Sequence, residues 1–260
     1  GRLLERIERD PPDLVFNLCE SLNGDTRNEM VVPAVLDMLR VPYTGPGPLT
    51  IGLCLDKDRA KQVLLHHGVN TPPHQVVRDL AQLEDPAHPF GPRARVGPRA
   101  RAGRAADHPE GPERLAHAQF LKLLREDASI GIEASNLVVD REALCRRVGE
   151  LMKEHRQPIL IERYIDGREV NVTVLGNGDQ TMVLPLHEID FGRMPAGRPR
   201  VLTYAAKWDE NHVDYIGTVP VPMVDVPPQV EEEIRGVALA TFHALGLRIL
   251  IENPSSYLRF

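Results

Sequence analysis

Two apolar strand-like segments, residues 121–124 and 159–164, constrain the fold of this chain more than any other feature. The first carries one cation, Lys122, among leucines and runs into a turn of small residues, Ala-Ser-Ile-Gly. The second carries Glu162, and an Asp-Gly turn separates it from a further carboxylate, Glu169. Such a turn can bring backbone N–H groups close to a phosphate chain, and carboxylates can accept hydrogen bonds from a base and a ribose. In this order the segments predict a site for ATP.

Composition and charge exclude several other classes of protein. The chain has 260 residues, of which 42% are hydrophobic and 26% charged, as in an ordinary soluble protein of two modest domains. Its net charge of -6 argues against a general affinity for nucleic acid or for an anionic membrane. No apolar run approaches the roughly 20 residues that span a bilayer, and no signal peptide is evident.

The cysteines add a prediction about the compartment. Cys19, Cys54 and Cys145 are odd in number and far apart, which predicts free thiols in place of a disulfide framework or a zinc site. We therefore expect a cytoplasmic protein.

The first quarter of the chain alternates short strands and helices. The pattern predicts strands over 13–18 and 41–47 and helices over 29–39 and 56–67. Asp56 is the predicted N-cap of the second helix, and Gly68 lies where that helix should end. The alternation predicts an α/β domain with a parallel doubly wound sheet, whose first strand is missing.

The second half is predicted to be α+β. Its pattern gives helices over 137–154 and 228–245 and strands over 159–164, 170–174, 181–187 and 201–208. Gly176-Asn-Gly178 predicts a hairpin between two of these strands. We expect antiparallel sheets flanked by helices.

An arginine-rich tract interrupts the pattern. Gly-Pro-Arg-Ala-Arg at 91–95 recurs at 97–101, without aromatic or acidic residues, so the tract cannot bury enough apolar surface to fold. We expect the surrounding segment, residues 86–118, to be disordered. The functional alternative is an arginine tract that binds RNA. A non-functional alternative is that a shifted reading frame produced the tract.

Taken together, these segments resemble the ATP-grasp superfamily and, within it, the D-alanine–D-alanine ligase family. The matching segments are residues 13–18, 23–25, 41–45, 55–61, 68–72, 121–132, 162–169 and 204–207. The resemblance implies a partial pre-ATP-grasp domain over 1–55, a central ATP-grasp subdomain over 56–175 and a truncated C-terminal subdomain over 176–260.

The resemblance implies roles at the phosphate end of an ATP site. Lys57 and Lys122 would neutralise phosphates, and Ser129 with Gly131 would close over them. Lys207 would touch the transferred phosphate, so that Ser129 and Lys207 are the candidate catalytic residues. A solvated lysine at a helix start and an ordinary surface turn are the alternative readings of Lys57 and of the turn.

At the other end of ATP, Glu162 would receive the adenine amino group. The backbone of Tyr164 and Ile165 would complete the base edge, and Glu169 would accept hydrogen bonds from the ribose hydroxyls. Solvated strand-end carboxylates are the alternative for both glutamates.

Several other polar residues receive weaker readings. Asn23, Asp25 and Glu29 could help to form an amino-acid pocket, although turn and helix-start chemistry explains them almost as well. Glu188 and Asp190 are expected to be exposed loop acids. The adjacent histidines at 66 and 67 are given no catalytic role.

By resemblance, ATP phosphorylates the carboxylate of one amino acid, and the amine of a second attacks the acyl phosphate. Mg²⁺ would bridge the phosphates, D-alanine is the expected substrate, and cell-wall precursor synthesis is the implied process. The expected partners are small amino acids and a second copy in a homodimer, with no nucleic acid and no membrane. The alternatives are a ligase for another amino acid or peptide, and an inactive truncated remnant that at most binds nucleotide.

Three departures from the family pattern limit this expectation. The opening strand with its glycine turn is absent, and the strand of Lys122 lacks its usual lead-in. The Arg-x-Asp motif of the family is missing after Arg248, and Glu252-Asn253 only echoes its Glu-x-Asn motif. Glu252 and Asn253 are therefore the only candidate metal ligands, in a segment, 249–260, whose coding origin is open.

Overall fold

A computed structural model of the chain describes residues 2–85, 87–90, 114–248 and 257–259. The chain forms two compact units. Unit 1 contains Gly1–Thr71, Gly167–Ile189 and Pro220–Phe260, and unit 2 contains Pro72–Asp166 and Asp190–Val219. The chain therefore passes from one unit to the other four times.

The helices and strands are as follows. The helices are α1 Arg2–Arg9, α2 Val31–Leu39, α3 Pro48–Leu55, α4 Lys57–His66, α5 Ala81–Glu84, α6 Arg141–His155, α7 Tyr204–Trp208, α8 Val213–Gly217 and α9 Pro228–Ala244. The strands are β1 His74–Val77, β2 Arg114–Leu123, β3 Leu137–Asp140, β4 Ile159–Arg163, β5 Glu169–Asn171, β6 Val174–Leu175, β7 Met182–Val183, β8 His187–Asp190, β9 Val219–Pro222 and β10 Tyr257–Arg259. Short 3₁₀ turns occupy Thr26–Asn28, Ala134–Asn136 and Gly178–Gln180.

Unit 2 is built on a four-stranded sheet in the order β1-β4-β2-β3, and the pairs β1–β4, β4–β2 and β2–β3 are all antiparallel. Because side chains alternate across a pleated strand, Leu121 and Leu123 of β2 lie on one face with Ile159 and Ile161 of β4. This face packs in one core with α6, which contributes Leu144, Val148 and Leu151 at helical spacing. The opposite face carries the polar residues of the predicted site.

Unit 1 holds a sheet in the order β10-β5-β8-β9 and the separate hairpin β6–β7. Val170, Val172 and Val174 pack with Ile234, Ala238 and Phe242 of α9 in one apolar core. The four-residue spacing of those three α9 side chains places them on one helix face.

The N-terminal parallel sheet predicted from the sequence is not confirmed. Where strands over 13–18 and 41–47 were expected, the structure has an isolated parallel bridge between Val15 and Tyr43. Leu14, Phe16 and Leu18 are 50–57% exposed, so the predicted buried strand is wrong. A strand needs neighbours along its whole length to satisfy its backbone groups, and the bridge joins only one residue pair. Helix α3, begun by Pro48 at its N-terminus, was not predicted.

Three further boundaries differ from the sequence prediction. Residues 137–140 form β3 and not the start of a helix, because Asp140 is the N-cap of α6 and its carboxylate accepts a hydrogen bond from Ala143 N. The predicted strand over 201–208 contains helix α7, capped by Thr203. Strand β2 begins at Arg114, inside the segment 86–118 that was expected to be disordered, because Leu115 packs against the core of unit 2. The arginine repeats themselves lie outside the described residues.

Other predictions are confirmed. Asp56 caps α4 through Arg59 N, and Gly68 follows the helix with a positive φ of 76°. Helix α9 ends before Gly246, whose φ is 65°, and β6 and β7 form the hairpin predicted around Gly176. The antiparallel α+β character of the second half is also confirmed.

Two global features bear on the class of protein. Cys19, Cys54 and Cys145 are free thiols, as the sequence predicts. Over the described ranges, no helix combines the length and apolarity that a membrane crossing requires.

Candidate nucleotide-binding site

The polar face of the unit 2 sheet brings Lys122 and Glu162 together. Strands β2 and β4 pair so that Phe120 lies opposite Glu162 and Lys122 lies opposite Leu160. Two residues apart on one strand, Phe120 and Lys122 share a face, and Lys122 Nζ lies 2.5 Å from Glu162 Oε1. Glu162 is only 6% exposed, so the lysine compensates a carboxylate that is almost removed from water. The ammonium also lies 5.5 Å from the centroid of the Phe120 ring.

The segment after β4 holds the predicted base edge. The Tyr164 N–H donates to Ala118 O at 2.9 Å, and the Tyr164 hydroxyl donates to Arg200 O at 3.1 Å. The Tyr164 N–H is thus committed to extending the sheet, so a base edge in this segment has to use other backbone groups of Tyr164 and Ile165. The part of the Tyr164 and Ile165 backbone in a base edge stays a prediction.

His74 was not foreseen at this site. Its strand, β1, pairs with β4 so that His74 lies directly opposite Glu162. Directly paired residues point to the same face of a sheet, so His74, Glu162 and Phe120 form one row across three strands. Only the short alternation His-Gln-Val-Val could have signalled this strand in the sequence.

The small-residue loop after β2 has an unusual backbone. Ala128, Ser129 and Gly131 have φ values of 47°, 62° and 71°, in the left-handed region. A Cβ at residue 131 would lie 2.8 Å from Leu123 Cδ1, so a larger residue there would displace the buried Leu123 side chain as well as strain the backbone. The Ser129 hydroxyl donates to Leu202 O at 3.1 Å. The backbone of the loop is therefore constrained by its φ values and by the contact with Leu202.

A buried amide supports this loop from behind. Asn136 is completely buried, and its Nδ2 donates to Leu121 O at 2.9 Å and to Gly131 O at 2.7 Å. Its Oδ1 accepts hydrogen bonds from Arg147 Nε and Nη2, and Arg147 also pairs with Glu133 at 2.8 Å. Asn136 and Arg147 were missed in the sequence, where nothing marks which carbonyl groups a buried amide will face.

Helix α7 carries Lys207 and lies against the same loop. Tyr204 N donates to Ile132 O at 2.9 Å, and Trp208 Nε1 donates to Ala128 O at 3.1 Å. Lys207 is half-buried in the last turn of this helix. The structure therefore brings Lys207 to the neighbourhood of Ser129, but on a helix and not on the strand that was predicted.

In unit 1, Glu169 opens strand β5 and is 3% exposed. The residue before it, Arg168, donates two hydrogen bonds to the Glu188 carboxylate at 2.7 and 2.6 Å and a third to Val224 O at 2.8 Å. Hydrogen bonding to Glu188 raises the pKa of the Arg168 guanidinium above its usual value. Glu188 and Asp190 both lie on strand β8, which corrects their reading as loop acids; Asp190 is exposed, as predicted, whereas Glu188 is only partly exposed.

The remaining candidates of unit 1 have local roles. Lys57 is the first residue of α4 and is half-buried. The Asp25 carboxylate caps a 3₁₀ turn and binds Arg27, and this hydrogen bonding to Arg27 lowers the pKa of Asp25. Asn23 has a φ of 57°, typical of a turn. Turn chemistry thus accounts for the positions of Asn23 and Asp25.

The described residues contain no group of three or more histidines, cysteines or acids that could hold a metal ion. Glu252 and Asn253, the two metal candidates from the sequence, lie outside the residues that the structure describes.

Comparison with solved structures defines the class of fold. The structure matches a D-alanine–D-alanine ligase from Bacillus anthracis complexed with ATP, with a TM-score of 0.62 and 18% sequence identity, over 99% of this chain and 70% of that one. It also matches the VanG D-Ala:D-Ser ligase from Enterococcus faecalis, with a TM-score of 0.60 and 21% identity, over 91% of this chain and 57% of that one. The fold is therefore the one seen in these ligases.

The sequence comparisons identify the family. The family model described as "D-ala D-ala ligase C-terminus" matches residues 104–251, more than half of the chain. The chain therefore belongs to the D-alanine–D-alanine ligase family of the ATP-grasp superfamily.

Full-length relatives are longer than this chain. The uncharacterized protein y4sG of Sinorhizobium fredii is 32% identical over 95% of this chain and 64% of its own length. The D-alanine–D-alanine ligase of Pelotomaculum thermopropionicum is 26% identical over 95% of this chain and 66% of its own length. The chain thus spans slightly less than two thirds of the length of these relatives.

Proposed function

We propose that this protein is an ATP-dependent ligase that joins the carboxylate of one amino acid to the amine of another, with D-alanine as the substrate and cell-wall precursor synthesis as the process. The observation that carries this proposal is the Lys122–Glu162 pair, on one sheet face of the unit that also carries the Ser129–Gly131 loop and Lys207. It supplies a cation for phosphate and a carboxylate acceptor for the adenine amino group. Membership of the family supports the same reaction.

The reaction has two steps, phosphorylation of a carboxylate and attack of an amine on the acyl phosphate. A carboxylate oxygen attacks the γ-phosphorus of ATP, the bond to the β-phosphate oxygen breaks, and ADP leaves. The amine nitrogen of the second amino acid then attacks the acyl carbon, inorganic phosphate leaves and the amine loses a proton. Lys122, Lys57 and Lys207 would compensate the phosphate charge, which is the main electrostatic task in phosphoryl transfer.

The other site residues would hold ATP in place. Glu162 would accept from the adenine amino group, the backbone of Tyr164 and Ile165 would line the base, and Glu169 would accept from the ribose. Ser129 and the Gly131 backbone would cover the phosphates. The left-handed φ values of Ser129 and Gly131 favour this arrangement, because such a turn can bring backbone N–H groups close to a phosphate.

Mg²⁺ belongs to the proposal as the ion that would neutralise the charge of the ATP phosphates. Glu252 and Asn253 would be its protein ligands, with oxygen atoms of the kind that Mg²⁺ prefers. A cytoplasmic location and a homodimeric state are further parts of the proposal.

Phosphate release with single amino acids tests the reaction. The protein is incubated with ATP, Mg²⁺ and either D-alanine, L-alanine or no amino acid. We expect release only with D-alanine, and a loss of at least tenfold in kcat/KM for ATP in Lys122→Ala, equivalent to about 1.4 kcal/mol. Lys153→Ala, at an exposed lysine near the end of α6, is the matched control and should match the wild-type protein.

The outcomes separate the proposal from its alternatives. Release with D-alanine no greater than in its absence would exclude D-alanine as the substrate. If no amino acid supports release but ATP binding is lost in Lys122→Ala, the chain is a nucleotide-binding remnant. The 32% identity to an uncharacterized relative, against 26% to the Pelotomaculum ligase, favours including other amino acids and dipeptides in this screen as the second candidate function.

A further inference from the structure

A buried carboxylate outside the proposed set of ATP residues lies next to helix α7. Asp214 is 2% exposed, and its Oδ2 accepts a hydrogen bond from the Thr203 hydroxyl at 2.8 Å. Its Oδ1 lies 2.9 Å from Arg198 Nε, an ion pair without the alignment of a hydrogen bond. A buried carboxylate is costly unless it is compensated by such partners. The buried Asp214 carboxylate thus depends on Thr203 and Arg198 for its compensation.

Asp214 is itself fixed by its own helix. It is the second residue of α8, its N–H donates to His212 Nδ1 at 3.1 Å, and its carbonyl oxygen accepts from the Thr218 hydroxyl at 2.8 Å. These hydrogen bonds hold the backbone of Asp214 in place, so its carboxylate can position the groups that bind it.

Thr203 links the Asp214 carboxylate to helix α7. Thr203 is the N-cap of that helix, and its hydroxyl oxygen accepts a hydrogen bond from Ala206 N at 3.1 Å while donating to Asp214. Helix α7 has five residues, far fewer than the roughly 12–15 that an isolated helix needs to be stable. Its position therefore depends on such contacts. Lys207 is the residue directly after Ala206.

We propose that Asp214 is a positioning residue that, through Thr203, sets the place of Lys207 at the transferred phosphate. The inference rests on the proposed function, because it takes Lys207 as a γ-phosphate contact. Arg198 contributes by keeping the buried Asp214 carboxylate compensated. Asp214 and Thr203 themselves touch no nucleotide in this scheme.

The test compares the affinities of two nucleotides in the 260-residue chain. Calorimetry gives the dissociation constants of ADP and of a non-hydrolysable ATP analogue, and their ratio reports the γ-phosphate contact alone. Thr203→Val keeps the shape of the side chain but loses both hydrogen bonds, whereas Thr203→Ser keeps both. Lys207→Ala removes the proposed contact itself, and Asp214→Asn removes the charge that Arg198 compensates.

We expect Lys207→Ala to lower the preference for the analogue over ADP about tenfold, and Thr203→Val and Asp214→Asn to lower it at least threefold. Thr203→Ser should stay within twofold of the wild-type protein. In a Lys207→Ala background, Thr203→Val should have no further effect, because its effect passes through the lysine. ADP affinity should change less than twofold in all four variants, which separates positioning from loss of fold.

Three results would overturn the inference: an unchanged ratio in Thr203→Val, an equal loss of ADP and analogue affinity in that variant, or additive effects in the double variant. If the wild-type chain binds neither nucleotide, the proposed function fails first. In the other case the chain binds both nucleotides and loses its preference for the analogue in Lys207→Ala. If Thr203→Val and Asp214→Asn then behave as the wild-type protein, the positioning role alone fails.

Discussion

Gly131 shows how one residue can set the shape of the candidate phosphate loop. Its φ of 71° and the approach of Leu123 both act against a side chain at this position. The left-handed conformation costs an L-residue about 1–2 kcal/mol, and the overlap with Leu123 adds to that cost.

We therefore expect Gly131→Ala to lower the free energy of unfolding by about 2–4 kcal/mol in urea titrations. Gly236→Ala is the matched control, since Gly236 lies in α9 and a Cβ there would meet no atom within 4 Å. That change should raise stability by about 0.5–1 kcal/mol, because alanine favours a helix more than glycine does. Equal effects of the two substitutions would contradict the strain at residue 131.

Tyr43 gives a pH dependence that can be measured. Its hydroxyl donates to Asp37 Oδ1 at 2.9 Å, and burial together with this acid raises the pKa of Tyr43 to about 12. In an unfolded chain the pKa of tyrosine is about 10. The folded state therefore favours the protonated phenol, and the resulting stability is complete below about pH 10 and is lost as the pH rises to about 12.

Urea midpoints of the wild-type protein and Tyr43→Phe test this sign. The difference in stability between them should be constant from pH 7 to 9 and should then shift in favour of the phenylalanine variant from pH 10 to 11.5. A difference independent of pH over the whole range would show that the phenol of Tyr43 is not perturbed in the folded protein. The other tyrosines are present in both proteins and cancel.

At the level of elements, Asn136 joins three parts of unit 2. Its amide holds the carbonyl groups of Leu121 in β2 and of Gly131 in the loop, and Arg147 of α6 donates to its oxygen. One side chain thus fixes the loop to both the sheet and the helix. Each buried polar group left without a partner costs about 1–3 kcal/mol. The free energy of unfolding should therefore be sensitive to substitution of Asn136.

Asn136→Asp tests these hydrogen bonds, since a carboxylate keeps the acceptor for Arg147 but cannot donate to the two carbonyl groups. We expect a loss of at least about 2 kcal/mol in the free energy of unfolding. Ser135→Ala, at the exposed neighbouring residue, should change stability by less than about 0.5 kcal/mol. A loss below 1 kcal/mol in Asn136→Asp would mean that the loop is held by other contacts.

Strand β4 and the last residues of β2, 121–123, could be predicted because their signal is local, a short apolar run in each case. That Lys122 and Glu162 share a face follows from the register in which the two strands pair. Helix α7 could not be predicted in the same way. Residues 201–204 favour a strand by β-propensity, and this preference is overridden by the capping hydroxyl of Thr203 and by Asp214, which lies beyond the helix in the sequence.

At the level of the whole molecule, family membership could be recognised from the order of the motifs, whereas the N-terminal sheet could not be predicted correctly. The apolar run within residues 13–18 favours a short buried strand, but a strand forms only where a neighbour pairs with it. His74, Asn136 and Arg147 escaped detection for a related reason. Their roles depend on which groups the fold places beside them, and a single sequence contains no direct record of that.

The interleaving of the two units sets an order for folding during synthesis. Unit 2 is complete in sequence at Val219, but unit 1 still needs the residues from 220 onward, including α9 and β10. At the usual rate of about 5–20 residues per second, residues 2–71 emerge about 10–40 s before strand β10, the last described strand of unit 1. During that interval the apolar side chains of α2 cannot pack in a finished unit. Unit 1 is therefore expected to stay incomplete until the residues of α9 and β10 have left the ribosome.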